Sequence, residues 1–239
     1  MISKLCTLQF VTTNNYEQNL DKLISLIESC DEGSIILAPE LAVSGYSYSD
    51  IENASLYTKK AIKKLLSLSN NKSIIVSMIT KYKNNFYNSA FVLSNHKIIH
   101  KQSKHHLFIL NDEKKYFTSA NRSKIQLFEL NGYKIGILIC FELRFIDLWQ
   151  KLKGADIILI PAMWGVQRKE HLNTLAKALA IANQCFVMLS NSANEEMAKG
   201  SGIISPFGVE YKDDNKELLC SNFDPKEIKK MRKYMNIGL

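Results

Sequence analysis

A glutamate, a lysine and a cysteine with the chemistry of a nucleophilic site each follow an apolar run of this 239-residue sequence. Glu40 comes after the run 35–38, Lys104 comes shortly after the run 97–102, and Cys140 ends the run 135–139. A carboxylate can accept the proton of a thiol, and an ammonium can stabilise a thiolate and the oxyanion that forms after attack. The alternative is that the three residues share no site: Glu40 lies on the surface, Lys104 is solvated and Cys140 packs in the core as a small apolar residue.

The segment 131–165 decides where Cys140 lies. It contains the apolar run 135–139, a helical pattern over 145–152 and a second apolar run over 156–161. This order predicts a strand, a sharp turn, a helix and a strand, with Cys140 at the carboxyl end of the first strand. Active sites of α/β sheets form at such ends. A thiol at a helix start also experiences the positive end of the helix dipole, which favours the thiolate.

The elements around these residues alternate between strands and helices at both ends of the chain, with hairpins between. The predicted strands are 5–11, 34–38, 73–82, 86–94, 97–102, 124–130, 133–139, 156–161, 185–190, 202–205 and 218–221. The predicted helices are 15–30, 53–69, 145–152, 167–183 and 225–234. Asn131-Gly132 is the strongest hairpin signal. The mixture predicts an α/β fold with a mixed sheet covered by helices, and the absence of a linker favours one domain over 1–239.

Composition limits the function classes. Hydrophobic residues make up 46% and charged residues 23%, which is typical of a folded globular protein. No apolar run reaches the length of a membrane span, so no membrane partner is expected. The five cysteines are odd in number and widely spaced, which predicts neither a disulfide framework nor a zinc site and favours the reducing cytoplasm. The net charge of +8 is dispersed and only slightly favours an anionic substrate.

The histidine-rich and basic segments raise two other possible functions, zinc binding and nucleic-acid binding. The histidines His100, His105 and His106 lack partners at the spacings of a metal site. The basic tail 229–233 belongs to no nucleic-acid-binding motif. A zinc protein or a nucleic-acid-binding protein is therefore disfavoured, and no metal, cofactor or nucleic-acid partner is predicted.

The sequence around the three candidates resembles the nitrilase superfamily, the carbon–nitrogen hydrolases, with its Glu-Lys-Cys triad. The resemblance covers nearly the whole chain, and its motifs occur in the family's order. Its central pieces are Pro39-Glu40 with Gly45-Tyr46, Lys104 with Leu107-Phe108, and Ile139-Cys140-Phe141-Glu142 with Arg144-Phe145. Flanking matches are Tyr87-Asn88-Ser89-Ala90, Pro161-Ala162-Met163-Trp164, Asn191 and Pro206-Phe207-Gly208.

The resemblance implies an α-β-β-α sandwich in a single domain, with Glu40, Lys104 and Cys140 as catalytic residues and no cofactor. It also implies accessory or substrate-positioning residues: Glu113, Phe141, Glu142, Trp164 and Asn191. Such proteins form homodimers or larger homo-oligomers. The sequence departs from the family pattern at Ile146, at Ala182 and over 199–202, and its C-terminus is short. These departures leave the triad intact but assign no subfamily.

The activity that the resemblance implies is hydrolysis of a non-peptide carbon–nitrogen bond through a thioester. A small linear amide, such as an ω-amide, is the favoured substrate. Hydrolysis of an N-carbamoyl amino acid or a nitrile by the same chemistry is the alternative. A catalytically silent scaffold of the same fold is the alternative from a different class, and the intact Glu40, Lys104 and Cys140 disfavour it.

Overall fold

The computed structural model describes residues 2–238, in which the strands form two six-stranded sheets. The strands are β1 (Lys4–Leu8), β2 (Ser34–Leu37), β3 (Ser73–Tyr82), β4 (Asn85–Ser94), β5 (Lys97–Ser103), β6 (Phe128–Leu130), β7 (Tyr133–Ile137), β8 (Ile157–Pro161), β9 (Phe186–Ser190), β10 (Gly202–Ile204), β11 (Glu210–Lys212) and β12 (Leu218–Asn222). The helices are α1 (Tyr16–Glu28), α2 (Ile51–Leu68), α3 (Glu113–Tyr116), α4 (Ile146–Lys151), α5 (Lys169–Ala182) and α6 (Lys226–Tyr234).

The first sheet has the strand order β12-β1-β2-β3-β4-β5. Its centre, β1, β2 and β3, is parallel, and β4, β5 and β12 are antiparallel to their neighbours. Helices α1 and α2 cover its outer face, because their apolar stripes, which include Leu23 and Leu65, join a buried cluster with Ile36 and Ile74 of the sheet. The side chain of Asn15 caps α1 by accepting from the Gln18 N–H.

The second sheet has the order β11-β10-β9-β8-β7-β6 and is parallel from β7 to β9. Helix α5 packs against β9 and β10 through a stripe that includes Leu172, Ala176 and Leu179. Strands β6 and β7 meet in the hairpin predicted at Asn131-Gly132, where both residues have positive φ, 52° and 84°. Only asparagine, aspartate and glycine adopt such angles readily, which is why this dipeptide fixes the turn.

The inner faces of the two sheets pack against each other. One buried cluster contains Ile35 and Leu37 of β2 together with Ile135 of β7 and Ile157 of β8. Each such side chain stabilises the fold by about 1.5–3 kcal/mol relative to an exposed position. The molecule is therefore an α-β-β-α sandwich, a single-domain α/β fold, as the family resemblance implied. Within residues 2–238, no helix combines the length and the apolar character that crossing a membrane requires.

Two expectations about the chain are wrong. Cys6 and Cys220 are joined by a disulfide bond, although the cysteine spacing predicted none. The reason is topological: β12 pairs antiparallel with β1 and places Cys220 opposite Cys6, 214 residues away in sequence. In addition, Cys140 does not lie at the start of the following α-helix, because the sharp turn predicted between strand and helix is five residues long. It begins a 3₁₀ turn, Cys140–Arg144, and α4 starts only at Ile146.

Candidate active site

The structure brings Glu40, Lys104 and Cys140 together where β2, β5 and β7 end. The Lys104 Nζ donates to the Glu40 Oε1 at 2.8 Å and to the Glu113 Oε1 at 2.7 Å. All three of these side chains are almost completely buried. Cys140 is also buried, and the charges of Glu40 and Lys104 both act on its thiol. An ion pair with this little solvent contact requires compensating hydrogen bonds, and the surrounding residues provide them.

Glu40 is fixed by groups from both sheets. Its N–H donates to the Ala162 carbonyl at 3.1 Å, and its Oε1 accepts a second hydrogen bond from the Asn88 side-chain amide at 2.8 Å. The following residue, Leu41, has a φ of 49°, and its N–H donates to the Ser77 hydroxyl at 2.8 Å. The other carboxylate oxygen, Oε2, is buried and has no hydrogen-bond partner within residues 2–238. One oxygen of Glu40 thus holds Lys104, and the other is free to exchange a proton.

Cys140 has a φ of 52°, in the left-handed region that non-glycine residues enter at a cost. Such strain persists where the surrounding structure imposes it, and it is common at functional sites. Burial raises the pKa of the thiol well above its usual range, and the Glu40 charge adds to this, while the Lys104 charge acts in the opposite direction. The predicted stabilisation of the thiolate by a helix start is therefore wrong. The resting group is a thiol that needs a base.

Lys104 stays protonated despite its burial. Burial lowers its pKa, but the carboxylates of Glu40 and Glu113 raise it, and the net pKa lies above the usual range. Glu113, at the start of α3, fixes the ammonium: its Oε1 also accepts from the Tyr46 hydroxyl at 2.6 Å, and its Oε2 accepts from the Phe108 N–H at 2.9 Å. The geometry makes Glu113 a residue that positions Lys104 and ties it to the loop at Phe108.

The Glu142 side chain is buried, and its carboxylate accepts hydrogen bonds from backbone N–H groups. Its Oε1 accepts from the His105 N–H at 2.6 Å, and its Oε2 accepts from the Ile139 N–H at 2.7 Å. Burial raises the pKa of Glu142 to about 7, although these N–H groups act to lower it. The carboxyl thereby links the residue after Lys104 to the residue before Cys140. It holds the two candidates in register and does not reach the pocket.

Asn191 acts on Trp164 in a similar way. The fully buried Asn191 side chain accepts from the Trp164 N–H at 2.7 Å and donates to the Trp164 carbonyl at 3.2 Å and to the Lys199 carbonyl at 2.9 Å. Trp164 itself lines the pocket beside Cys140. Asn191 thus fixes the backbone of the loop that contains Trp164, and Trp164 forms one side of the pocket.

The pocket over Cys140 is aromatic with two cationic side chains. Its lining residues are Phe108, Cys140, Phe141, Arg144, Met163, Trp164 and Arg168. The Arg144 guanidinium lies over the Trp164 ring, 4.6 Å from its centroid, and the Arg168 guanidinium lies over the Phe108 ring at 5.2 Å. The Phe141 ring lines the same pocket. The Phe141 N–H stands in the first turn of a 3₁₀ segment, where backbone donors lack intrahelical partners.

Sequence reasoning did not single out Arg144, Arg168, Tyr46 or Asn88 as functional. Arg144 and Tyr46 stood inside quoted motifs but carried no role there. Asn88 offered a usable signal, because an amide in the middle of a buried strand must find a partner. Arg168 offered none: a basic residue before a helix is usually solvated.

The site also has little room for a metal. The ammonium of Lys104 lies between the carboxylates of Glu40 and Glu113, where a cation would otherwise be held. Among the described residues, the cluster of possible metal ligands is Cys6, Cys30 and Cys220, and none of these lines the pocket. Two of the three are joined to each other.

Comparison with known proteins agrees with this geometry. A family model described as carbon-nitrogen hydrolase matches residues 5–233. The chain is 32% identical to a 2-oxoglutaramate amidase of Bacillus subtilis, over 84% of this chain and 82% of that protein. It is 24% identical to a deaminated glutathione amidase of Escherichia coli O157:H7, over 94% and 91%. Its fold is similar to that of Saccharomyces cerevisiae Nit3, a member of the nitrilase superfamily, with a TM-score of 0.87, 22% identity and coverage of 99% and 95%.

The family match spans nearly all of the chain, and the amidase relative covers most of both sequences. The chain therefore belongs to the carbon–nitrogen hydrolase family of the nitrilase superfamily and is a hydrolase of the amidase type.

Proposed function

We propose that this enzyme hydrolyses a small ω-amide, the half-amide of a dicarboxylic acid, through a thioester on Cys140. The observation that carries the proposal is the buried Glu40–Lys104 pair next to the Cys140 thiol, beneath a pocket with two arginines. A nucleophile, a base and a fixed cation are the parts that acyl transfer needs. The similarity to a 2-oxoglutaramate amidase supports the ω-amide as substrate.

The reaction begins with proton transfer from the Cys140 thiol to the free Oε2 of Glu40. The thiolate then attacks the amide carbon, and a sulfur–carbon bond forms as the carbonyl electrons move to oxygen. The Lys104 ammonium and the Phe141 N–H stabilise that oxyanion. Removing one donor of this kind typically lowers turnover by about a hundredfold to a thousandfold.

Collapse of the intermediate breaks the carbon–nitrogen bond. Glu40 gives its proton to the leaving nitrogen, so the amine departs neutral and a thioester remains on Cys140. Glu40, ionised again, then takes a proton from water, and the hydroxide attacks the thioester. The carboxylic acid leaves, and the sulfur recovers a proton from Glu40. The raised pKa of Cys140 fits this scheme, because the thiol loses its proton only as the base acts.

The two arginines support an acyl part that carries a carboxylate. Burial lowers the pKa of Arg144, and the nearby charge of Arg168 lowers it further. Within residues 2–238, neither guanidinium is in a salt bridge with a carboxylate. A substrate carboxylate would relieve the repulsion between them, and a charge-assisted hydrogen bond of this kind is worth about 1.5–3 kcal/mol.

The test measures ammonia release from ω-amides, uncharged linear amides, N-carbamoyl amino acids and nitriles. Wild-type enzyme is compared with Cys140→Ala and Arg168→Met. Arg122→Met is the control, because Arg122 pairs with Asp147 on the surface. We expect Cys140→Ala to be inactive and Arg168→Met to raise KM for ω-amides alone by about tenfold or more. If Arg168→Met changed KM equally for ω-amides and uncharged amides, the proposed role of the arginines would be contradicted. If the wild type released ammonia from no substrate class, the result would favour the catalytically silent scaffold.

We further propose that the enzyme acts on its small amide substrate in the cytoplasm.

We also propose that the enzyme is a homodimer or a larger homo-oligomer. Exposed apolar side chains on α4 and α5 support contact with a second copy: Ile146 is 60% exposed and Ile181 is 42% exposed. Light scattering of the purified protein measures its mass directly. The mass of one 27.3 kDa chain would contradict the oligomer.

A further inference from the structure

A second depression, here called the polar groove, opens beside the pocket over Cys140. It has a volume of about 580 Å³, and its walls are residues 12–14, 44–47 and 194–197 with Met163. The larger opening that contains Cys140, with a volume of about 630 Å³, has Tyr46, Met163, Glu196 and Met197 in common with it. The polar groove is therefore continuous with the site of attack. An ammonia molecule alone leaves most of this space unused.

The walls of the polar groove are fixed by hydrogen bonds between distant segments. The Thr12 N–H donates to the Asn194 Oδ1 at 2.9 Å, and the Asn194 side-chain amide donates back to the Thr12 carbonyl at 2.9 Å. On the other side, the Ser47 hydroxyl lies 2.6 Å from the Tyr16 hydroxyl. Walls held in this way are a preformed binding surface, because a ligand need not order them.

The polar groove and the pocket over Cys140 carry side chains of opposite charge. Within residues 2–238, no lysine or arginine lines the polar groove, and the carboxylates of Glu195 and Glu196 have no salt-bridge or hydrogen-bond partner. Glu196 also lines the larger opening over Cys140, but the inner part of that opening, between Phe108 and Trp164, contains Arg144 and Arg168 and no carboxylate. A substrate with one anionic end therefore has a preferred direction, with that end at the arginines.

The position of the base indicates which half of the substrate faces the polar groove. Residues 44–47 follow Glu40 within one loop, and the Tyr46 hydroxyl lies 3.4 Å from the Lys104 Nζ that Glu40 holds. In the proposed reaction, Glu40 hands its proton to the leaving nitrogen. The leaving amine is thus on the side of Glu40, where the polar groove begins.

We infer that the polar groove binds the amine half of an N-substituted amide, so that the enzyme releases an amine larger than ammonia. The substituent is polar and neutral or positively charged, because a carboxylate there would face Glu195 and Glu196. The bond that breaks is still the acyl carbon–nitrogen bond, and the amine leaves with the proton from Glu40. This inference rests on the proposed function and specifies its substrate.

The test uses succinic half-amides that differ only at nitrogen: the primary amide and its N-(2-hydroxyethyl), N-(2-aminoethyl) and N-carboxymethyl derivatives. Release of succinate is measured for all four, so one readout covers every leaving group. We expect the hydroxyethyl and aminoethyl amides to have a kcat/KM at least equal to that of the primary amide. The carboxymethyl amide should be poorest among the substituted ones.

Two variants assign the effect to the polar groove. Asn14 is exposed, lines the groove and makes no side-chain hydrogen bond within residues 2–238, so Asn14→Trp narrows the groove without removing a contact. It should lower kcat/KM for the hydroxyethyl and aminoethyl amides by about tenfold or more and leave the primary amide nearly unchanged. Asn70→Trp, at an exposed turn outside the groove, is the matched control. The double variant Glu195→Gln, Glu196→Gln should lower kcat/KM for the aminoethyl amide alone by about two- to fivefold.

Hydrolysis of the primary amide with no hydrolysis of any substituted amide would overturn the inference and leave the proposed function intact. An equal loss on all substrates in Asn14→Trp would also overturn it. No succinate from any of the four would count against the ω-amide proposal itself, and the inference would fall with it.

Discussion

The buried carboxyls of this site have separate tasks that follow from their contacts. Glu40 keeps one oxygen free of hydrogen bonds, whereas both oxygens of Glu113 and of Glu142 are engaged. A carboxylate whose oxygens are all occupied cannot also collect a proton from a thiol without breaking a bond. In the proposed reaction, only Glu40 is therefore available as the base, and the hydrogen bonds of the other two hold Lys104 and the loops around it.

Stability should depend on pH through Glu142. Its folded-state pKa is raised from 4.5 to about 7, so the folded protein keeps a proton that the unfolded chain has already lost. Unfolding then releases a proton, and the free energy of unfolding falls as pH rises from about 4.5 to about 7, by about 3 kcal/mol for this group. Urea titrations across this range should show a smaller fall in Glu142→Gln than in the wild type. Parallel curves for the two proteins would contradict the raised pKa.

The sequence predicted which residues form the site, but it did not predict the burial and the neighbouring charges that set their pKa values. Glu40, Lys104 and Cys140 were predicted as one site, and the structure brings them together. The direction of the thiol pKa was wrong, because it depends on burial and on neighbouring charges that periodicity does not reveal. Arg144 and Arg168 could not be assigned to the pocket because two loops, after β7 and after β8, bring them together.

At the element scale, the turn between β7 and α4 positions Cys140. Cys140 adopts a positive φ at the start of a 3₁₀ segment, and this lifts its side chain toward the pocket. The hydrophobic pattern predicted the strand before it and the helix after it to within a few residues. It could not resolve the five-residue 3₁₀ turn between them, because that turn is fixed by the Glu142 bridge to His105 and Ile139.

The strain at Cys140 gives a stability prediction. A left-handed conformation costs a non-glycine residue about 1–2 kcal/mol, and glycine avoids that cost. Cys140→Gly should therefore unfold at a higher urea concentration than Cys140→Ala, although both lack the thiol. The control is Ala178→Gly within α5, which should lose about 0.5–1 kcal/mol because the helix gains nothing from glycine. If Cys140→Gly were the less stable of the two, the positive φ would not be a source of strain.

At the scale of the whole molecule, two sheets must pack face to face before the site exists. Glu40 and Lys104 come from the first sheet and Cys140 from the second, and the Glu40 N–H bonds the Ala162 carbonyl across the interface. Local patterns predicted most strands, but the pairing of β12 with β1 joins segments more than 200 residues apart. The Cys6–Cys220 bond was missed for this reason. Three properties stay predictions: the extension of the hydrolase domain over all of 1–239, a homo-oligomer and a cytoplasmic location.

Counting the reactive thiols tests the Cys6–Cys220 disulfide bond. Protein denatured without reductant should show three reactive thiols, from Cys30, Cys140 and Cys185, and five after reduction. Cys220→Ser should show four in both conditions, because Cys6 is then free. Five reactive thiols in the unreduced wild type would contradict the Cys6–Cys220 bond.

The central claim is that the acyl group of the substrate passes through Cys140. The most direct measurement is the mass of the protein after rapid acid quenching during turnover of an ω-amide, followed by digestion. We predict a mass increase equal to the acyl group on the peptide that contains Cys140, and its loss when the quenched sample is treated with hydroxylamine, which cleaves thioesters. Turnover without any acylated peptide, or with the acyl group on a different residue, would contradict the account.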